Sequence, residues 1–351
     1  MHDMVSLAEQ IKLDPTDISS IQTYIRELIR TNSTIPLSII HDYLFHKYKK
    51  VIYLNDFTIS LKSSFISDLN WLRNLYLPSP YVLRLSHNQI SSLDGLSGLT
   101  APNLEQLNLS HNQISSLDGL SDLKAPNLEQ LDLSHNQISS LDGLSQLNAP
   151  DLHTIDLSHN QITSLDGLSQ LNAPLLRSLI LSHNQITSLD GLSQLNAPKL
   201  FLLSLENNSI SSLSELSKLH FPCLLQLRLS SNQITSLDGL SNLNSPDLIE
   251  LSVSNNLIQF ISLLSNVYFP NLHTIDLSHN QITSLDGLQG LKSPKLESIH
   301  LSHNKISSLE ELAAFPFRNL RILSLVHNLV SKNLILQACH NYPASSKYLE
   351  Y

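Results

Sequence analysis

From Leu83 onward the apolar residues fall in columns that repeat every 24 residues. In one unit they stand at Leu107, Leu109, Ile114, Leu117, Leu120, Leu123 and Leu128, and Leu131 opens the next unit. The spacing changes inside each unit. The opening Leu-x-Leu alternates, as a strand does when successive side chains point to opposite faces. The later steps are three residues long, which suits 3₁₀ or short helical turns. A fixed period of this length predicts a repeat solenoid, in which a unit is stabilised by its neighbours and not by a core of its own.

The polar positions keep the same period. One Asn per unit falls between the strand and the turns, at Asn88, Asn112, Asn136, Asn160, Asn184, Asn208, Asn232, Asn256, Asn280, Asn304 and Asn328. An amide offers two donors and an acceptor. The row is therefore predicted to be a structural ladder that bridges backbone groups of successive turns, with no catalytic role. An Asp-Gly pair recurs at Asp94-Gly95, Asp118-Gly119, Asp142-Gly143, Asp166-Gly167, Asp190-Gly191, Asp238-Gly239 and Asp286-Gly287. Its Asp is predicted to cap the short helical turn and its Gly to ease the bend. A His precedes the ladder Asn at His87, His111, His135, His159, His183, His279, His303 and His327. Imidazoles one strand spacing apart suit a shared metal ion or a charge switch near neutral pH. No carboxylate accompanies them in a fixed pattern, so the row reads as a half-exposed polar edge, and no metal or cofactor is expected.

The two ends break the pattern. Ile18, Ile21, Ile25, Leu28 and Ile29 keep helical spacing, as do Ile39, Ile40, Tyr43 and Leu44 after Pro36. Two short helices, near 15–31 and 36–48, are expected to form an N-terminal cap over residues 1–50. Residues 51–80 read as a degenerate first repeat, with Ile52, Leu54, Phe57 and Ile59 in the apolar columns. Counting from Ile52 to Leu83 gives 31 residues, which implies an insertion holding Trp71, Leu72, Leu75 and Leu77. The array proper spans 81–331 in eleven turns, and 332–351 reads as a C-terminal cap and tail.

Composition narrows the function. The formal net charge of -9 excludes the basic stripe of a general nucleic-acid binder. No apolar run reaches the roughly 18 residues of a membrane span. The opening Met1 to Gln10 lacks the apolar core of a secretory signal. The two cysteines, Cys223 and Cys339, cannot staple the caps. These features point to an intracellular, cytoplasmic protein. No phosphate loop, CxxC or HExxH motif is present, so no catalytic residue is nominated.

Residues Leu104 to Ile114 read Leu-x-x-Leu-x-Leu-x-x-Asn-x-Ile. This resembles the signature of the leucine-rich repeat family, and the match runs over about 80–330. The later Ile-x-x-Leu-x-x-Leu steps resemble the class first described in a phosphatase-1 regulatory subunit, with Ala125-Pro126 accompanying a slightly longer turn. The resemblance implies an α/β solenoid of horseshoe form, with a parallel β-sheet on its concave face and short 3₁₀ or helical turns on its convex face. It also implies a monomeric scaffold that binds a protein partner and has no enzymatic activity.

Specificity belongs where the copies differ. The position between the two leucines reads Arg84, Asn108, Asp132, Asp156, Ile180, Ser204, Arg228, Ser252, Asp276, His300 and Ser324. Near the middle, Ile180, Phe201, Leu202 and Leu225 fall close to Arg177 and Arg228 on successive turns. Apolar residues rimmed by Arg make this the candidate hot spot. Two turns, Leu203 to Gln226 and Leu251 to Thr274, lack Asp-Gly and carry Phe221, Phe260, Tyr268 and Phe269. The alternative to a simple scaffold is an adaptor, F-box-like or phosphatase-regulatory, that docks through residues 1–50 while the repeats select a client.

Overall fold

The computed structural model describes residues 53–55, 58–77, 81–314, 316–331, 333–334 and 349–350. The helices expected within 1–50, and Cys339 with most of the expected C-terminal cap, lie outside the described residues. The chain divides into two compact units, 1–161 with 170–174, and 162–169 with 175–351.

The first unit carries β1 (Tyr53–Asn55), β2 (Thr58–Ser60), β3 (Val82–Arg84), β4 (Gln106–Asn108), β5 (Gln130–Asp132) and β6 (Thr154–Asp156). Strands β2 to β6 pair in parallel, each residue opposite the one 24 positions on, as in Leu83↔Leu107 and Leu131↔Ile155. This register corrects the placing of the first repeat. Ile59, not Ile52, stands opposite Leu83, so this turn has the ordinary length and no insertion. β1 instead folds back on β2 as an antiparallel hairpin. The reason is packing: Leu69, Leu72, Leu75 and Leu77 fall 24 residues before Leu93, Leu96, Leu99 and Ala101, and all are buried. Ser64 takes the slot of the ladder Asn, and its N–H donates to Asn88 Oδ1 at 2.8 Å.

Outside the strand, each standard turn closes with a short 3₁₀ helix, such as Asp94–Leu96, Asp118–Leu120 or Asp142–Leu144. The Asp carboxylates make no cap hydrogen bond there. The hydroxyl two residues earlier does that work: Asp118 N–H donates to Ser116 Oγ at 3.2 Å, and Asp142 N–H to Ser140 Oγ at 3.2 Å. The glycine's role also differs from the expected bend. A Cβ on Gly119 would lie 2.0 Å from the Leu93 carbonyl oxygen, so glycine is required for the close approach of one turn to the previous one.

The second unit carries β7 (Ser178–Ile180), β8 (Leu202–Ser204), β9 (Gln226–Arg228), β10 (Glu250–Ser252), β11 (Thr274–Asp276), β12 (Ser298–His300), β13 (Ile322–Ser324) and β14 (Leu349–Glu350). All pair in parallel in sequence order. Asp190–Gln194 is a five-residue 3₁₀ helix, and three further turns close with 3₁₀ helices of the same length, Ser214–Lys218, Ser262–Asn266 and Glu310–Ala314. In the turns after Ser214–Lys218 and Ser262–Asn266, Gly239 and Gly287 adopt left-handed φ of 84° and 103°, where a side chain would be strained. Phe221 and Phe269 are buried whole in this unit.

Candidate protein-interaction surface

The ladder asparagines sit where the chain leaves the strand. Asn112 Nδ2 donates to the Leu109 carbonyl of its own turn at 2.9 Å and to the Leu85 carbonyl of the previous turn at 3.0 Å. Its Oδ1 accepts from Ile90 N–H at 3.0 Å. The same pattern ties Asn208 to Leu181, Leu205 and Ile186, and Asn280 to Val253, Leu277 and Ile258. These amides meet backbone groups that neither strand nor turn can pair.

The histidines before them hold the backbone in the left-handed region, with φ of 54–58°. His and Asn tolerate this region better than most residues, and Asn207 and Asn255 take the same conformation in the same column at φ 55° and 52°. The exposed rings stack, His87 on His111 on His135 on His159, at 4.0–4.1 Å with interplanar angles of 9–10°. Ring lone pairs lie in the ring planes, so near-parallel rings aim them side by side and not at one point. Among the described residues no group of three or more His, Cys, Asp or Glu side chains is placed to hold a metal ion. Burial first, then the neighbouring His135 and His87, hold the His111 pKa below the ordinary imidazole value, against a smaller pull upward from Asp132. His303 is lowered in the same way, by desolvation and then by His279 and His327.

Several of the variable residues between the leucines are occupied with their own turn. Asp132 Oδ1 accepts from Ser134 N–H at 3.0 Å and Oγ–H at 2.7 Å, and its Oδ2 accepts from Asn108 Nδ2 at 2.7 Å. Asp156 and Asp276 accept the same pair of bonds from Ser158 and Ser278. Variation at these sites is therefore partly local structure.

The stretch from β7 to β10 of the second unit is different. Ile180 and Leu202 are half-buried on β7 and β8, where Ile180 stands opposite Ser204 and Leu202 opposite Ser178 and Gln226. Arg228 is half-buried on β9, its Nε 3.8 Å from Glu250 Oε1, and Gln226 Nε2 donates to Glu250 Oε2 at 2.9 Å. Arg177, Phe201 and Leu225 form a separate row, each just before its strand. Phe201 N–H donates to the Arg177 carbonyl at 2.9 Å, and Leu225 N–H to the Phe201 carbonyl at 2.9 Å. The row continues to a residue absent from the expected hot spot: Ile249 N–H donates to the Leu225 carbonyl at 2.8 Å. Phe201 is 38% exposed and Ile249 39%. The signal was in the column immediately before the strand, which reads Glu105, Glu129, His153, Arg177, Phe201, Leu225, Ile249, His273. Three consecutive apolar residues interrupt a charged and polar row.

Within each of the two units, strand-and-turn repeats bonded to one another by a parallel ladder and a ladder amide define a repeat protein of the solenoid type. The chain belongs to the leucine-rich repeat family. A model described as leucine rich repeats (2 copies) matches residues 82–122, 102–146, 126–170, 246–290 and 270–314, and one described as leucine rich repeat matches 174–234. No curated protein sequence gives a significant match. Similar solved structures include an internalin from Listeria monocytogenes, at 21% identity over 93% of each chain with a TM-score of 0.60. A leucine-rich repeat protein from Leptospira interrogans is 23% identical over 91% of this chain and 81% of that one, with a TM-score of 0.61. The leucine-rich repeat domain of APL1 is 23% identical over 90% and 83%, with a TM-score of 0.62. At these identities the likeness is one of fold. No helix among the described residues is long and apolar enough to cross a membrane.

Proposed function

We propose that this chain is a non-enzymatic interaction scaffold and that the strand face of its second unit binds another protein. The observation that carries this reading is the apolar row Phe201, Leu225 and Ile249, exposed at Phe201 and Ile249 and half-buried at Leu225, flanked by Ile180, Leu202 and Arg177. Large apolar side chains next to Arg, on a face that is otherwise polar, are the usual makings of an interface hot spot. The same face also presents hydroxyls, amides and the Arg228–Glu250 pair. Affinity capture from the cells of origin, with wild type and a folded Phe201→Ser/Leu202→Ser variant, tests the reading. Loss of the captured partner in the variant is expected; equal capture by both contradicts it. The adaptor alternative rests on residues 1–50, and capture with a 51–351 chain separates the two: a scaffold keeps its partner and an adaptor loses a common one.

A further inference from the structure

The row on the second unit also points to the shape of what it binds, an inference that rests on the interaction reading above. Arg177, Phe201, Leu225, Ile249 and His273 follow one another across five turns through consecutive backbone hydrogen bonds of 2.8–2.9 Å. Their N–H and carbonyl groups are therefore engaged within the sheet, so a partner cannot join here by adding a strand. It must lie across the strands and use its side chains. Neighbouring strands are about 4.8 Å apart, so the three apolar residues span about 10 Å. An α-helix presents positions i, i+3 or i+4, and i+7 along one face over about 10.5 Å, at 1.5 Å per residue. An extended peptide places i, i+2 and i+4 over about 13–14 Å. The helix matches the row to within about 1 Å; the extended chain overshoots by about 3–4 Å and drops out of phase.

Charge sets the direction. Exposed Arg177 and Lys199 lie at the Phe201 end of the row, whereas exposed Asp247 lies near Ile249. Arg228 and Glu250 already face each other. We propose that the Phe201–Leu225–Ile249 row receives an amphipathic α-helix of a partner protein, laid across the strands, with acidic residues at the end over Arg177. Its apolar stripe fills the row, and its acids meet exposed Arg177 and Lys199.

Two displayed libraries of peptides about 18 residues long test this, with the full chain as bait. One fixes apolar residues at helical spacing and the other at every second position, with Asp, Glu, Lys, Arg, Ser and Ala randomised between them. The helical library should enrich at least about tenfold over the alternating one, with Asp and Glu gathering at one end. Bait carrying Ile249→Glu should abolish that enrichment, and bait carrying Arg177→Glu should turn the end preference to Lys and Arg. Both residues are exposed, and circular dichroism checks that the baits remain folded. Equal enrichment of the alternating library, enrichment that survives Ile249→Glu, or enrichment of neither library overturns the proposal. If that happens while partner capture still depends on Phe201 and Leu202, the interaction surface stands and only the helical occupant falls.

Discussion

At the residue scale, the side chain that most constrains the fold is the ladder Asn. Asn136 donates to the Leu109 and Leu133 carbonyls and accepts from Ile114 N–H, all buried. Asn136→Ala leaves those groups unpaired, at about 1–3 kcal/mol for each buried group left unmet. Urea unfolding should show a loss of roughly 3 kcal/mol or more, and a loss below about 0.5 kcal/mol would refute the ladder's structural weight. The histidine row has a different signature, visible only with pH. The folded chain holds His111 and His303 below their ordinary pKa. The unfolded chain therefore binds more protons on the acid side. The stability these rings contribute is complete above the unfolded-state pKa and is lost as pH falls through the folded one. Wild type should lose urea midpoint as pH falls from about 7 to about 5. A variant with Asn at positions 87, 111, 135 and 159 should lose less, because Asn already stands at 207 and 255 with the same backbone. Parallel pH profiles for the two proteins would show that the stacked rings do not contribute.

At the element scale, one column of the second unit alternates in size. Ala197, Phe221, Ser245, Phe269 and Ser293 stand 24 residues apart, and all are buried. Adjacent turns lie about 4.8 Å apart, so a phenyl in one turn bears directly on the residue at the same position of the next. Each Phe is followed by a Ser, and Ser245 Oγ donates to the Phe221 carbonyl at 3.0 Å. The five-residue 3₁₀ helices Ser214–Lys218 and Ser262–Asn266 precede these two Phe residues, but Asp190–Gln194, of the same length, precedes Ala197, so the length of the outer turn does not set the size of the core residue. Ser245→Phe should overpack the column and cost about 1–3 kcal/mol, with Phe269→Ala costing about 3–5 kcal/mol by leaving a cavity. Thermal unfolding of the two variants checks both; a Ser245→Phe protein as stable as wild type would mean the alternation is not a packing requirement.

At the scale of the whole molecule, the repeat and its columns were legible because a solenoid writes each structural position many times. Leu109, Ile114 and Leu117 announce the core, and three-residue spacing announces the 3₁₀ turns. Legibility ended where a position occurs once or where two chemistries look alike. Ile52 and Leu54 mimic the Leu-x-Leu of Ile59 and Leu61, and only strand register separates them. An Asp at the start of a short helix looks like a cap, but the Ser two residues earlier supplies the bond. The position between the leucines drew attention as the variable one, whereas Asp132 and Asp156 there hold their own turns and Ile249 lies in the row before the strand. The account's central claim is that recognition resides in that row of the second unit. Its most direct test is the dissociation constant for the captured partner, measured with wild type, Ile249→Glu, and Gln130→Glu as a control on the exposed face of the first unit. Ile249→Glu should weaken binding at least about thirtyfold, the mark of a hot-spot residue, while Gln130→Glu changes it less than about twofold. Equal affinities for wild type and Ile249→Glu would contradict the account.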